Sequence, residues 1–120
     1  MRNHSVTQSR ELAFQALADP TRRAVLDLLR ARGRQPAGVI AASFAVSRPA
    51  ISKHLRLLRQ AHLVQEHRRG RHRFYQLNPE PLREVDGWLE AYRSFWRHQL
   101  DQLKLFVEKE QRKATPDCLL

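Results

Sequence analysis

The sequence has little of what several classes of protein require. Its 120 residues include a single cysteine, Cys118, so no internal disulfide can form, and a reducing, cytoplasmic setting is expected. No apolar run approaches the roughly 18 residues that a membrane span needs, and the first residues lack the apolar stretch of a secretory signal. We therefore expect one domain-sized chain with no membrane partner.

Sequence patterns that carry catalysis are missing as well. The four glycines form no phosphate-binding loop, and neither a C-x-x-C nor a G-x-S-x-G motif occurs. Asp86 and Glu90 lie one turn apart on a predicted helix, where a solvated face explains them. These absences argue against an enzyme and give no reason to expect a cofactor.

Acidic residues are scarce in one segment of the chain. Residues 47–73 hold eight Lys and Arg but one acid, Glu66, whereas residues 74–120 hold seven against eight. The formal net charge of +10 is therefore concentrated in the middle of the sequence. Such a distribution favours a polyanionic partner, with a basic surface kept for solubility as the alternative.

Capping signals and helical periodicity divide the first sixty residues into four short helices. Asp19 and Ser47 are candidate N-caps, each followed within two residues by proline, and Gly33 is a candidate C-terminal stop. Only residues 45–47 separate the third helix from the fourth, which is typical of a helix-turn-helix. The predicted helices cover residues 8–18, 21–32, 37–44 and 48–60.

The hydrophobic period changes after residue 62. Two runs that contain Val, Phe and Tyr, residues 63–68 and 72–77, flank Arg69-Gly70-Arg71, and a glycine in so short a connection predicts a β-hairpin. The basic tip of this hairpin is stabilised when an anion lies beside it, as DNA phosphates would for a wing. Basic residues also discourage pairing at a sheet edge, which is the alternative explanation.

A long helix is predicted for the end of the chain. Asn78-Pro79 is a start signal, and apolar residues recur every three or four positions from Val85 to Val107. Four short helices and a hairpin cannot cover so long a stripe, but a second copy of the helix can. The fold class is therefore mainly α with a small β-hairpin. The predicted organisation is a flexible N-terminus (1–8), a winged helix-turn-helix domain (9–78), a dimerisation helix (79–112) and a flexible tail (113–120).

The candidate DNA-binding residues lie on the fourth helix and on the hairpin. Ile51, Leu55 and Leu58 form the inward stripe of that helix, so its polar residues face outward, where a recognition helix meets base edges. For this helix alone, an ordinary solvated face is the alternative. The candidate recognition residues are Ser47, Arg48, Pro49, Ser52, Lys53 and Arg56, the candidate wing residues are Arg68, Arg69, Arg71, His72 and Arg73, and Arg22 and Arg23 are candidate phosphate contacts.

Three stretches resemble the ArsR/SmtB family of repressors. They are residues 14–23 (FQALADPTRR), residues 46–55 (VSRPAISKHL) continuing to Leu63-Val64, and the Arg-Gly-Arg wing with the Tyr75-Gln76-Leu77 strand. The resemblance spans about residues 10–110 and implies a winged-helix homodimer, paired through its first and last helices, that represses its own or neighbouring genes. It places the family's recognition positions on Ser47, Arg48, Pro49, Ser52 and Lys53, and the implied dimer contacts are Phe14, Leu17, Leu89, Tyr92, Trp96, Leu100 and Leu103.

The sequence departs from the metal-sensing members of that family. Residues 39–44, where arsenic- and cadmium-sensing members carry cysteines, contain none, and Asp86 is followed by Gly87-Trp88 in place of the Asp-x-His of zinc-sensing members. Such metals require thiolate or imidazole ligands, so no metal site is predicted. The resemblance is instead to the subgroup with an extended, tryptophan-bearing last helix, often described as autorepressors.

Two other functions stay open at this point. An architectural or RNA-binding winged helix would explain the basic segment, although the aromatic residues lie mostly in the last helix, away from the basic residues. A protein-interaction module built on residues 79–110 would leave the charge of residues 47–73 unused. A small-molecule effector is also left open, because sequence does not distinguish an apolar pocket between helices from a dimer core. The expected partners are double-stranded DNA and a second copy of the chain.

Overall fold

A computed structural model describes the backbone of residues 2–119 and the side chains of residues 8–113. This part of the chain forms five helices and three short strands. They are α1 (Arg2–Leu17), α2 (Pro20–Arg32), β1 (Gln35–Pro36), α3 (Ala37–Ala42), α4 (Arg48–Gln60), β2 (Val64–Arg69), β3 (His72–Leu77) and α5 (Glu80–Leu119). The predicted fold class is confirmed: α3 and α4 form the helix-turn-helix, β2 and β3 form the wing, and α5 is the long last helix.

The helix-turn-helix link is longer than predicted, because α3 ends at Ala42 and not at residue 44. The backbone N–H of Ser43 donates to two carbonyls of the preceding turn, both at 3.1 Å, and its hydroxyl donates to the carbonyl of Val39 at 2.7 Å. Local bonds of this kind compete with continuation of a helix. The link between α3 and α4 therefore spans residues 43–47.

Both terminal helices are longer than predicted. α1 contains neither glycine nor proline, so it extends back to Arg2, and α5 contains no proline between its first and last turns and ends at Leu119. The flexible segments predicted for residues 1–8 and 113–120, which include Cys118, fall almost wholly outside the described side chains. Their flexibility stays a prediction.

A third strand, which the sequence did not predict, extends the hairpin into a small antiparallel sheet of order β1-β3-β2. Gln35 lies opposite Tyr75, and Pro36 lies opposite Phe74. Two residues are too few for a period-2 signal, and a strand can contain proline here because β1 lies at the sheet edge. Since β1 leads directly into α3, it ties the helix-turn-helix to the base of the wing.

Side-chain caps set the ends of the helices as predicted. The Asp19 carboxylate accepts a hydrogen bond from the backbone N–H three residues later at 3.0 Å, and the Ser47 hydroxyl does the same at 3.3 Å. Gly33 ends α2 with a φ of +76°, and its N–H donates to the carbonyl of Leu29 at 2.9 Å. The two N-caps therefore fix where α2 and α4 begin.

Asn78 fixes the turn between α4 and β2. His62 in this turn has a φ of +61°, a left-handed conformation that is uncommon for residues other than glycine. The Asn78 side-chain amide donates to the His62 carbonyl at 2.7 Å, and its backbone N–H donates to the Leu63 carbonyl at 2.9 Å. The Asn78 side-chain oxygen also accepts a hydrogen bond from the N–H of Glu80 at 3.4 Å. The sequence predicts Asn78 as the N-cap of the last helix, and α5 begins one residue later than that prediction, at Glu80. One residue thus joins the end of the wing to the end of α4.

Up to Val85 the chain forms one compact unit, and the remainder of α5 forms another. The core of the first unit is built from one face each of α2, α3 and α4 together with the end of α1 and the sheet. Full burial of one such aliphatic side chain contributes about 1.5–3 kcal/mol. The side chains that are at most 3% exposed include Val25, Leu29, Ile40, Ile51, Leu55, Leu58, Leu63 and Val64, whereas Leu28 and Phe44, also predicted for the core, are half-buried.

The α5 segment from Asp86 carries a continuous apolar stripe. At about 100° per residue, its large apolar side chains fall within one face roughly 140° wide. Leu105, which is 60% exposed, lies on the opposite side of the helix. The stripe residues that are at least 42% exposed are Trp88, Tyr92, Phe95, Trp96, Leu100, Leu103, Phe106 and Val107, and Leu89 is half-buried.

Among the described helices, none has a segment both long and apolar enough to cross a bilayer.

Candidate nucleic-acid interface

Helix α4 has one buried face and one cationic face, as its periodicity predicts. Ile51, Leu55 and Leu58 are buried, and this burial forces the remaining arc outward. Proline in the first turn and the Ser47 cap begin the helix immediately before its polar face. The predicted recognition residues Ser47, Arg48, Pro49, Ser52, Lys53 and Arg56 are all exposed.

The wing is a tight hairpin with cations on both of its faces. Arg68 lies opposite Arg73 and Arg69 lies opposite His72, so Gly70-Arg71 forms a two-residue turn, with a φ of +62° at Gly70. A positive φ at the first of two turn residues suits the twist of a hairpin and favours glycine. All five predicted wing residues are exposed, and the His72 ring lies 6.4 Å from that of Phe74.

The outward face of α4 and the wing line one cleft of about 600 Å³. The structure thus brings four of the predicted recognition residues together with one predicted wing residue, Arg73. The predicted recognition and wing residues that do not line the cleft are Ser47, Arg48, Arg68, Arg69, Arg71 and His72. Cations line the cleft from both sides, which suits a polyanion. The cleft residues are Pro49, Ser52, Lys53, Arg56 and Arg59 on α4, Glu66, Arg73 and Tyr75 on the sheet, and Leu55 and Ala37 at its base.

Glu66 forms an ion-pair network in this cleft that the sequence analysis missed. One oxygen of its carboxylate pairs with Arg59 of α4, and the other lies 3.4 Å from Arg68 Nε and 3.8 Å from Arg73 Nε in the wing. The Glu66 side chain is only 10% exposed. Burial favours its neutral form, but the hydrogen bonds from Arg68 and Arg59 prevail and hold the pKa of the carboxyl below its ordinary value.

A sequence signal for this network exists in retrospect. Glu66 is the one acid of residues 47–73, and it lies two positions after the buried Val64 in a strand. Because alternate residues of a strand share a face, Glu66 had to point towards the helices and not into solvent. An acid on that face of a basic segment predicts a paired carboxylate.

The cations of α4 and the wing divide into two groups. Arg59, Arg68 and Arg73 are paired with Glu66. The others form no ion pair with any side chain between residues 8 and 113, so their charge faces solvent uncompensated. The uncompensated cations are Arg48, Lys53, Arg56, Arg69 and Arg71.

Arg22 and Arg23, the candidate phosphate contacts, hold the end of α1. Arg22 Nε donates to the carbonyl of Ala16 at 2.7 Å, and Arg23 donates to that of Leu17 at 2.7 Å. Cations are favourable at a helix C-terminus, where carbonyls lack partners. These bonds give both arginines a structural role, and a phosphate contact by either stays a prediction.

His54 of α4 packs against the start of α2. Its Nδ1 lies 3.4 Å from an Arg22 guanidinium nitrogen and 3.9 Å from the Asp19 carboxylate. Its side chain is 18% exposed; the approach to Arg22 is within hydrogen-bonding distance, and the approach to Asp19 is longer. The contact joins the recognition helix to the cap of α2.

The predicted dimer contacts lie on α1 and α5. Phe14 and Leu17 are half-buried within the first unit. On α5, Leu89 is half-buried, and the exposed predicted contacts are Tyr92, Trp96, Leu100 and Leu103. Their role in pairing stays a prediction.

Known proteins match both the sequence and the fold. Residues 17–67 match a family model described as a helix-turn-helix domain. The transcriptional repressor SdpR of Bacillus subtilis is 45% identical over 76 residues, which cover 63% of this chain and 83% of SdpR. The HTH-type transcriptional regulator Rv2034 of Mycobacterium tuberculosis is 39% identical over 106 residues, which cover 88% of this chain and 95% of the relative.

Solved structures share the architecture. An ArsR-like transcriptional regulator from Rhodococcus sp. RHA1 superposes with a TM-score of 0.65 at 31% identity, covering 85% of this chain and 95% of that one. A homodimeric winged helix-turn-helix DNA-binding domain from Mycobacterium bovis, described as a possible ArsR-family regulator, gives a TM-score of 0.61 at 24% identity. It covers 78% of this chain and 85% of its own, and at that identity it shows the fold alone.

The contacts of Asp19 predict a pH-dependent stability. The backbone N–H of Arg22 lowers the pKa of this carboxyl below its ordinary value; burial opposes the shift, and the charges of His54 and Arg22 reinforce it. A carboxyl with a lowered folded-state pKa stabilises the fold above its ordinary pKa of about 4, and the contribution is lost as the pH falls through the lowered value.

Asp19→Asn keeps the cap oxygen but removes the charge. We expect its melting temperature to lie below that of the parent chain at neutral pH, with the difference shrinking towards zero at about pH 2. Thermal melts followed by circular dichroism across this range measure the effect. A difference that does not change with pH would contradict it.

Proposed function

Because this chain belongs to the ArsR family of helix-turn-helix transcriptional regulators, we propose that it is a homodimeric repressor that binds duplex DNA sequence-specifically. Its site is an inverted repeat in the control region of its own operon. Each protomer inserts the N-terminal half of α4 into a major groove and lays its wing along the adjacent backbone. It carries out no catalytic step.

The observation that carries this proposal is the shared cleft of α4 and the wing. Arg48, Ser52 and Lys53 lie on the exposed side of the first two turns of α4, where a recognition helix presents donors to base edges. Arg69 and Arg71 are uncompensated at the wing tip, where a phosphate or a narrow minor groove would neutralise them. One body of DNA can contact both groups, because Ser52 and Lys53 line the cleft whose other wall is formed by the wing strands that carry Arg69 and Arg71 at their tip.

Pairing of two copies is supported by the apolar stripe of α5. Aromatic and aliphatic side chains that are half or more exposed along several turns are unfavourable in water. A second α5 offers a stripe of the same length and composition, and a two-fold interface uses the same surface on both partners. The Mycobacterium bovis domain with the same fold is described as homodimeric, and SdpR is named a repressor.

The test is binding of the full chain to a duplex from the region upstream of its own gene. Fluorescence anisotropy compares that duplex with a scrambled duplex of equal composition and with a double-stranded RNA. We expect at least about a thousandfold preference for the upstream duplex, an affinity that falls steeply with salt, and protection of two half-sites about 34 Å apart. Equal affinity for both DNA duplexes would indicate an architectural protein, and preference for RNA would overturn the proposal.

Two substitutions separate base reading from backbone binding. Lys53→Ala should cost about 1–3 kcal/mol of discrimination at one base position. Arg71→Ala should weaken all duplexes by a similar factor and reduce the salt slope by about one per protomer. Lys104→Ala, which removes an exposed cation from α5, is the matched control and should change neither quantity. The assignment of α4 as the reading helix is wrong if Lys53→Ala leaves the base preference intact.

Two leucines on opposite sides of α5 test the dimer. Leu103 lies on the apolar stripe and Leu105 lies away from it, with exposed fractions of 58% and 60%. Leu103→Ala should shift the dimer towards monomer in sedimentation equilibrium, because a two-fold interface contains Leu103 of both protomers and loses the apolar contacts of both side chains. Leu105→Ala should leave the association constant unchanged. Equal effects of the two changes would place the interface elsewhere.

A further inference from the structure

We infer that Glu66 is a positioning residue that restrains binding to DNA of any sequence, by holding three arginines of the cleft in an internal ion-pair network. The inference rests on the proposed function and assigns a role to a residue that would not itself contact a base. It starts from an imbalance: residues 47–73 hold eight Lys and Arg, and their one acid occupies the wall of the proposed DNA cleft.

The geometry shows that the carboxylate connects two elements. One Glu66 oxygen pairs with Arg59 in the last turn of α4, and the other pairs with Arg68 on the same strand and Arg73 on the facing strand. The α4 helix and both strands of the wing therefore meet at one side chain. Such a link limits how far the wing can move relative to the recognition helix.

Glu66 is largely buried in the network, whereas its three arginine partners are exposed to solvent. Glu66 is 10% exposed, whereas Arg59, Arg68 and Arg73 are 51%, 66% and 55% exposed. Burial of a carboxylate is costly unless cations pair with it, so Glu66 depends on the arginines for its position. The arginines do not depend on Glu66 for solvation, and without it they would be free to bind phosphates.

This division explains why a basic cleft would contain an acid at all. Phosphate contacts raise the affinity for every duplex, whereas base contacts raise it for one. Because the paired arginines are withheld from phosphate, the total affinity for DNA depends on the unpaired cations, which include Arg48 and Lys53. Glu66 thus lowers the background and leaves the reading residues unaffected.

The variant that tests this is Glu66→Gln, which keeps the size of the side chain and removes its charge. For the full-length chain, we expect the affinity for the scrambled duplex to rise about tenfold at about 0.1 M salt. The slope of log K against log salt should steepen by about one per protomer, and the ratio of upstream to scrambled affinity should fall by about tenfold. A merely structural role would weaken both duplexes and leave the salt slope unchanged or shallower.

Glu110→Gln is the charge-matched control. Glu110 pairs with Lys113 on α5 and is 53% exposed, so the substitution raises the net charge by the same amount at a residue that does not line the cleft. It should leave the ratio of affinities unchanged. If both variants change the ratio equally, the effect is one of overall charge, and the inference is overturned.

A second variant covers the case in which Glu66→Gln does not fold, as judged by its far-ultraviolet circular dichroism. Arg59→Gln breaks the link to α4 from its exposed side and leaves Glu66 paired with the wing. Because Glu66 withholds Arg59 from phosphate, this variant should leave the affinity for the scrambled duplex and the salt slope unchanged. A weaker affinity with a shallower slope would show that Arg59 contacts phosphate in the parent chain and would overturn the inference.

Failure of this inference is distinguishable from failure of the proposed function. If the parent chain does not discriminate between the upstream and scrambled duplexes, the proposed function fails. If the parent chain discriminates and a folded Glu66→Gln variant matches it in ratio and salt slope, only the role of Glu66 fails.

Discussion

Burial of one face of α4 is the constraint on which the rest of the structure depends. Ile51, Leu55 and Leu58 insert into the core of the first unit, and they leave the cationic arc of the same helix no position except outside. The Ser47 cap then determines which turn comes first, and so which polar residues stand at the exposed end. The candidate interface therefore follows from ordinary hydrophobic packing, which fixes the side of the helix on which the charged residues lie without burying them.

The wing owes its position to polar contacts at its base and at its middle. Asn78 joins the base of the hairpin to the turn after α4, and Glu66 joins the middle of the hairpin to the last turn of α4. The short β1 adds a third connection along the sheet edge. Few apolar side chains lie in the outer half of the hairpin, so the hairpin is held in place by these contacts and not by apolar packing.

Elements with a strong local signal could be predicted from the sequence, and contacts between elements could not. The limits of α4 and β3 and the caps at Asp19 and Ser47 follow from periodicity and capping chemistry, which depend on neighbouring residues only. The third strand has no such signal, because two residues show no period and their partners in β3 are distant in the sequence. The early end of α3 coincides with bonds from Ser43 to the preceding turn, which the helical period does not predict.

The candidate site shows the same division. Exposed cations could be assigned to a helix and a hairpin from spacing alone. That cations of both elements line one cleft depends on the tertiary structure, which spacing does not show. Arg22 and Arg23 show what spacing does not reveal. Both are cations at the start of a helix, and only the structure shows that they donate to the carbonyls that end α1.

The two-residue turn of the wing has a consequence for how this protein can vary in length. Arg68 and Arg73 share the Glu66 face of the hairpin, and Arg69 and His72 share the other. Inserting or deleting one residue between Glu66 and Arg68, or between Arg73 and Tyr75, would exchange the two faces of that strand from the change to the tip and turn a tethered arginine outward. Wings of related chains that keep this tether should therefore lengthen or shorten by two residues in a strand at a time.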